Sequence, residues 1–230
     1  GYLSAIADRD PAARPRGDPS SRRRAMEHLD LGKIPTLARR TARSSSWNCV
    51  TLVVNTKLVP VAEASRLLER PEIRFLPPML LGGWKEYRRN FRVQRATKED
   101  WWLRGRLNQV RAKMTRALRD AGARLLLGSD APSPFVVPGI SVHEELALLT
   151  QAGLTPFEAL CAGTRDAAEF LGRSEGFGTV SVGKRADLLL VDQNPLEDVS
   201  HVREIAGVMV RGRWLSRGQI RSTLGRLVGS

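Results

Sequence analysis

The chain has 230 residues, of which 42% are hydrophobic and 27% are charged, and its formal net charge is +13. This composition predicts a soluble globular protein with one large domain or two small ones. The longest apolar runs are too short to span a bilayer, no secretory signal peptide is visible, and two cysteines cannot form a disulfide framework. A cytoplasmic protein that does not contact a membrane is therefore expected.

The positive charge is confined to the first half of the chain. Residues 1–124 hold 27 Lys and Arg against 12 Asp and Glu, whereas residues 125–230 hold 10 against 12. Basic residues interleaved with aromatic ones at 85–106 fit one pattern of nucleic-acid binding. A solvated helical face in an Arg-rich sequence explains the stretch better, so nucleic acid is not an expected partner.

Loops and strands alternate in the first half. Pro, Gly, Ser and Arg predict an exposed loop at 8–24, and Pro and Gly predict a second long loop at 73–84. Apolar and β-branched residues predict buried strands at 47–55 and 123–130.

Five helices are predicted between residues 33 and 172. Thr155, Pro156 and Glu158 form a capping-box pattern at the start of the last helix. Apolar residues recur every three or four positions in five segments. These predicted helices are 33–45, 61–70, 99–121, 141–153 and 155–172.

The character of the sequence changes near residue 176. GTVSVGKRADLLLVD (178–192) and AGVMVRGRWLSR (206–217) contain short apolar runs joined by Gly, without helical periodicity. We therefore predict two domains, residues 1–175 and residues 176–230.

Asp130 ends the apolar run LLLGSDAP at 125–132. A helix, a Gly-containing turn and an apolar strand follow one another before it, an order typical of a parallel sheet in an α/β fold. In a β/α barrel the chemistry lies at the carboxyl ends of the strands. Asp130 is therefore a candidate catalytic residue, with a turn or N-cap acid as the alternative.

Residues 123–217 resemble the amidohydrolase superfamily, in particular its imidazolonepropionase-like and dipeptidase-like branch. The matching segments occur in the family's order: LLLGSDAP, PGISVHEELALLTQAGLTPFEALCAGTRDAAEFLG, GTVSVGKRADLLLVDQNPLEDV and VMVRGRWL. WNCVTLVVN resembles the family's seventh barrel strand, and GYLSA resembles the residues after its sixth-strand histidine. The resemblance implies the C-terminal part of a (β/α)8 TIM-like barrel, together with C-terminal strands of a small composite β-sandwich.

This resemblance also implies a role for Asp130. In the family the aspartate at the end of the eighth strand ligates a divalent metal, expected here to be zinc, and exchanges a proton with the metal-bound water. The implied reaction is hydrolysis of a C–N bond in a small amide, cyclic amide or dipeptide. A metal lowers the pKa of bound water from about 16 toward 7, and a nearby carboxylate can pass the proton on to the leaving nitrogen.

Most of the family's metal ligands have no counterpart here. The family site uses a His-x-His pair and further histidines, whereas this sequence contains only His28, His143 and His201 and no His-x-His. A zinc site needs about three protein ligands plus water. We therefore expect the C-terminal half of an amidohydrolase whose N-terminal half is missing, with little or no activity in isolation.

Two alternatives remain open. The chain can be a half-enzyme that associates with a partner carrying the histidines, or a catalytically inactive binding or structural module. A homo-oligomer is a further possibility.

The remaining candidates each carry a structural alternative. His143 is a candidate substrate-binding residue or a polar helix residue, His28 is expected at the surface or an interface, and His201 is expected to be structural. Cys49 and Cys161 are expected to be buried small side chains. Three tryptophans are candidates for a substrate pocket, although core positions fit them better: Trp84, Trp101 and Trp102.

Overall fold

The computed structural model describes residues 5–6, 29–87 and 91–228. The helices there are α1 (Ile34–Arg43), α2 (Leu52–Thr56), α3 (Val61–Leu68), α4 (Pro78–Tyr87), α5 (Phe91–Gln94), α6 (Lys98–Asp120), α7 (Ile140–Gln151), α8 (Pro156–Gly163), α9 (Arg165–Phe170) and α10 (Arg217–Val228). The strands are β1 (Trp47–Cys49), β2 (Arg124–Leu126), β3 (Leu188–Val191), β4 (Ile205–Val210) and β5 (Arg213–Ser216). Short 3-10 helices lie at Leu31–Lys33, Pro71–Phe75 and Val199–Arg203. The predicted loop at 8–24 and His28 lie outside the described residues.

Strands β1 and β2 pair in parallel, with Cys49 opposite Leu126. The Asn48 side chain adds a 3.1 Å hydrogen bond to the carbonyl of Arg124. Parallel neighbours need a long crossover, and here helices α2 to α6 provide it. The α/β character expected from the sequence is therefore present, and the two strands end at the same edge of the sheet.

Helix α6 begins and ends at the signals that its sequence carries. Thr97 and Asp100 form a capping box at its start. At its end Gly122 has a φ of +74°, and the amide of Ala123 donates to the carbonyl of Leu118 at 2.9 Å. The chain thereby turns directly from α6 into β2, as the sequence predicts. The strand predicted at 123–130 is correct only for Arg124–Leu126, because residues 127–130 do not pair with β1.

The main hydrophobic core lies between α1, α6, α7 and the parallel strands. Burial of each large aliphatic side chain contributes about 1.5–3 kcal/mol, so this cluster is the principal source of stability. Its most buried members include Ile6, Ala38, Leu118, Leu149 and Ala159.

The predicted strand at 47–55 is correct only for its first three residues. Val53 and Val54 favour a strand by propensity, but residues 52–56 form helix α2. The carboxylate of Glu145 accepts hydrogen bonds from the first two amides of α2, and this tertiary contact overrides the local preference.

The predicted loop at 73–84 is wrong, because helix α4 occupies its second half. Pro77 precedes that helix and Pro78 is its first residue. Proline is tolerated at the start of a helix, because the N–H that it lacks would have no helical partner there. Gly82 and Gly83 each cost about 1 kcal/mol in a helix, and burial of Trp84, which is 3% exposed, offsets this cost.

The predicted helix at 155–172 is divided at Thr164, whose φ and ψ are −127° and −88°. The capping box of Thr155 and Glu158 is present as expected. Just before the break, Ala162 accepts a hydrogen bond from Leu127 at 3.1 Å. The end of α8 is therefore fixed to the segment that leads to Asp130.

Strands β3, β4 and β5 form an antiparallel sheet in chain order. The β4–β5 turn places Arg211 and Gly212 at φ +50° and +81°, a pair of positive angles typical of type I′ hairpins. Asp187 accepts from the amide of Arg211 at 2.7 Å, so this acid satisfies a backbone donor of the turn. Helix α10 follows the sheet and was not predicted. The domain boundary near 176 and the composite β-sandwich remain predictions.

Among residues 5–6, 29–87 and 91–228, none of the helices combines the length and apolarity that crossing a membrane requires.

Candidate active site

Asp130 lies four residues beyond the end of β2, with its side chain exposed. Its φ of +60° places the backbone in the left-handed region. Ser133 donates its amide to the carbonyl of Asp130 at 3.1 Å and its hydroxyl to the carboxylate at 3.4 Å. The second bond is long, so the carboxylate keeps most of its capacity to accept protons or bind a cation.

Cys49, at the end of β1, adjoins this turn. A Cβ atom at Gly128 would lie 2.4 Å from Cys49 Sγ, so only glycine fits beside the thiol. Partial burial raises the pKa of Cys49, and the negative charges of Glu145 and Asp130 raise it further. The expectation that Cys49 is buried is wrong, because Cys49 as a whole residue is exposed. Cys161 is buried as expected.

Glu145 is a fully buried carboxylate behind the two strand ends. Its oxygens accept from the amides of Leu52 at 2.8 Å and Val53 at 2.6 Å. Burial raises the pKa of Glu145, and the two amide hydrogen bonds oppose that rise. Glu145 fixes the backbone just after Cys49 against helix α7.

Glu145 was not among the residues predicted from the sequence, although its position carries a signal. Glu145 lies four residues before Leu149 and seven before Ala152, which places a charged residue on the apolar stripe of a predicted helix. A charge at such a position needs a buried partner, and its partners here are backbone amides some 90 residues away.

Glu144 faces a different set of partners. Its Oε1 accepts from Lys57 Nζ and Arg70 Nη1, each at 2.8 Å. Partial burial alone would raise its pKa, but the hydrogen bonds and positive charges of Lys57 and Arg70 outweigh burial and lower it. These contacts attach the segment after β1 to α7.

His143, the sequence's candidate substrate-binding residue, is half-buried on α7. Its Nδ1 is buried and has no hydrogen-bond partner among the described residues. Burial lowers the pKa of His143, and the charge of Arg203 lowers it further, so the neutral imidazole is favoured. The helix packs here against the 3-10 helix at Val199–Arg203. A role in substrate binding stays a prediction.

The other candidates occupy structural positions. His201 Nδ1 lies 2.8 Å from the carbonyl of Asn194, as a structural residue would. Trp84 is in the core as expected, whereas a core position is wrong for Trp102, which is 61% exposed.

The residues present do not by themselves fit a metal site. Within the described ranges, no three His, Cys, Asp or Glu side chains converge as metal ligands would. A structural or catalytic zinc ion takes at least three protein ligands, and the described residues around Asp130 do not form such a set.

Comparison with models of known protein families identifies the family of this chain. Residues 29–215 match the model of the amidohydrolase family. The chain belongs to the amidohydrolase family. An imidazolonepropionase from Rubrobacter xylanophilus is 45% identical over 78 residues, which are 34% of this chain and 19% of that protein.

Solved amidohydrolase structures share the fold. Bottromycin amidohydrolase superposes with a TM-score of 0.67 and 25% identity over 91% of this chain and 43% of that one. A Xaa-Pro dipeptidase with methionine in its active site gives a TM-score of 0.51 and 17% identity, over 86% of this chain and 42% of that one. These neighbours imply a TIM-barrel-type α/β fold. This amidohydrolase chain spans less than half the length of each of these relatives.

Proposed function

We propose that this chain takes part in the hydrolysis of a C–N bond in a small amide, cyclic amide or dipeptide, with Asp130 as the proton-transferring residue. The observation that carries the proposal is the position of Asp130, exposed four residues beyond the carboxyl end of parallel strand β2 in a chain of the amidohydrolase family. The relatives named imidazolonepropionase and Xaa-Pro dipeptidase support this class of substrate.

Asp130 suits general acid–base chemistry. As a carboxylate with one long hydrogen bond, it can accept a proton from an attacking water. The protonated acid can then donate to the leaving nitrogen, which returns the side chain to its starting state. Ser133 orients the carboxylate during both transfers.

Amidohydrolases generally use divalent metals, and zinc is the proposed ion. Since the described residues around Asp130 do not form a set of three ligands, we propose that the other ligands are histidines outside residues 29–228, on a segment or partner chain that completes the barrel. The shortage of ligands favours a second candidate function, a half-enzyme or binding module that is inactive alone.

Amine release distinguishes these two functions. The purified chain is incubated with zinc and a panel of N-acyl amino acids, cyclic amides and dipeptides, and Asp130→Asn is compared with Ser133→Ala. Hydrolysis that falls by at least about 100-fold in Asp130→Asn, and much less in Ser133→Ala, supports the proposed catalysis. A rate unchanged in Asp130→Asn contradicts the role of Asp130.

Absence of amine release from the whole panel favours the inactive half or module. Zinc content after dialysis then tests the proposed location of the ligands. Near-stoichiometric zinc that is lost in Asp130→Ala would contradict the proposal that the other ligands lie outside these residues.

A further inference from the structure

The segment between β1 and α6 has a hydrophobic cluster of its own. Its buried members from α3, α4 and the adjoining 3-10 helix include Ala64, Ile73 and Trp84. Phe135 and Val137, from the loop that follows Asp130, complete the same cluster. The helices after β1 and the loop after β2 therefore share one core, directly beyond the strand ends.

Trp84 joins these two parts by a polar contact. Its ring centroid lies 5.7 Å from that of Phe135, and the ring of Tyr87 lies edge-on to Phe135 at 5.2 Å. The indole Nε1 of Trp84 donates to the carbonyl of Pro132 at 3.3 Å. Buried indole N–H groups usually need such a partner.

Pro132 lies inside the turn that presents Asp130. That turn is closed by the bond from the Ser133 amide to the Asp130 carbonyl, and Val136 donates to Ser133 at 2.9 Å. Asp130 and Phe135 both have positive φ, at +60° and +65°. Residues other than glycine persist in this conformation only where their surroundings hold it.

We propose that Trp84 is a positioning residue for Asp130, which acts through its hydrogen bond to Pro132 and its contact with Phe135. The inference rests on the proposed function of Asp130 and adds the residue that holds its carboxylate in position. Loss of the indole N–H releases the Pro132 carbonyl, and the turn carrying the carboxylate relaxes away from the strand ends.

Cys49 provides a direct reporter of where the Asp130 carboxylate lies. Cys49 Sγ lies against Gly128, two residues before Asp130, since a Cβ atom at Gly128 would come within 2.4 Å of the sulfur. Partial burial raises the pKa of Cys49 most, and the negative charges of Glu145 and then Asp130 raise it further. Alkylation proceeds through the thiolate, so a nearby carboxylate slows the reaction at neutral pH. Cys161 is buried and serves as an internal control in the same chain.

The experiment measures the iodoacetamide alkylation rate of Cys49 by mass spectrometry across a pH series. Asp130→Asn is expected to accelerate alkylation about twofold or more at neutral pH, because it removes the charge. Trp84→Phe is expected to raise the alkylation rate of Cys49 toward that of Asp130→Asn. The double variant is expected to react no faster than Asp130→Asn alone. Trp102→Phe, on an exposed face of α6, is the matched control and leaves the rate unchanged.

An unchanged or slower rate in Trp84→Phe, with a faster one in Asp130→Asn, overturns the proposal. Equal rates in wild type and Asp130→Asn also overturn it, because Asp130 would then exert no charge effect at Cys49 for Trp84 to control. Loss of the near-ultraviolet circular dichroism would show that Trp84→Phe does not keep its tertiary structure. In that case a variant with benzothienylalanine at position 84 is used instead, since this analogue keeps the ring shape of tryptophan and lacks the N–H.

This readout separates the two proposals. Alkylation reports the position of Asp130 whether or not the chain hydrolyses any substrate. Where hydrolysis is measurable, Trp84→Phe is expected to lower kcat about tenfold with little change in KM, since it displaces a reacting group and no substrate contact. A change in KM alone would contradict positioning.

Discussion

Glu144 and Glu145 are neighbours on α7 whose pKa values shift in opposite directions. Both are removed from water, which raises the pKa of a carboxyl group. Glu144 meets two cations, Lys57 and Arg70, and its pKa falls. Glu145 meets two backbone amides and no cation in the contacts described, and its pKa rises. One pair of residues thus joins α7 to the segment after β1 by two different kinds of contact.

The ion pairs of Glu144 predict a pH-dependent stability. Glu144→Gln is expected to lower the free energy of unfolding by about 2 kcal/mol at neutral pH, because Lys57 and Arg70 lose a charged acceptor. The folded pKa of Glu144 lies below its ordinary value of 4.5. Its stabilising contribution is therefore complete well above pH 4.5 and is lost as the pH falls through the folded value.

Urea unfolding across a pH series measures this contribution. The difference between wild type and Glu144→Gln is expected to close in acid, while Glu175→Gln on the surface changes stability by less than about 0.5 kcal/mol throughout. A difference that persists unchanged in acid would show that the ion pairs are not its source.

Among the elements, those with local signals were predictable from the sequence. Helix α6 carries its own cap at Thr97 and its own stop at Gly122, and Asp130 follows an apolar strand within a few residues. Helix α2 and Glu145 were not predictable in this way, because each is determined by the other across more than 90 residues. The same holds for the contact between Trp84 and the Asp130 turn, since neither sequence segment indicates its partner.

The antiparallel sheet provides a prediction about a single glycine. A Cβ at Gly207, in β4, would lie 2.1 Å from the Trp214 ring and 3.0 Å from the Leu215 carbonyl. Gly207→Ala is expected to displace Trp214 and to destabilise the protein by about 1–3 kcal/mol. Gly225→Ala in α10, where nothing lies within 4 Å, is the control and is expected to be neutral or to stabilise by up to about 1 kcal/mol.

Denaturant unfolding and near-ultraviolet circular dichroism measure both glycine variants. The Trp214 signal is expected to change only in Gly207→Ala. Equal stability of the two variants would mean that the sheet accommodates a methyl group at this position.

At the scale of the whole molecule, charge and apolar exposure are segregated. The outward faces of α1 and α6 carry cations, including Arg39, Arg43, Arg106 and Lys113. The C-terminal sheet instead exposes three consecutive leucines of β3, Leu188 to Leu190, at 39%, 47% and 55%. Successive strand residues point to opposite faces, so both faces of β3 are open, and β3 is an edge strand.

An open edge strand with apolar faces is expected to make the purified chain self-associate. Repulsion between positively charged chains opposes contact, and salt screens it over about 10 Å at 0.1 M. Association measured by sedimentation velocity should therefore increase with both protein and salt concentration. Leu190→Lys places a charge on the edge strand and is expected to suppress it, whereas Phe157→Lys, at an equally exposed position on α8, is not. If Phe157→Lys suppresses association as strongly, then exposed apolar side chains in general, and not the edge strand β3, cause the self-association.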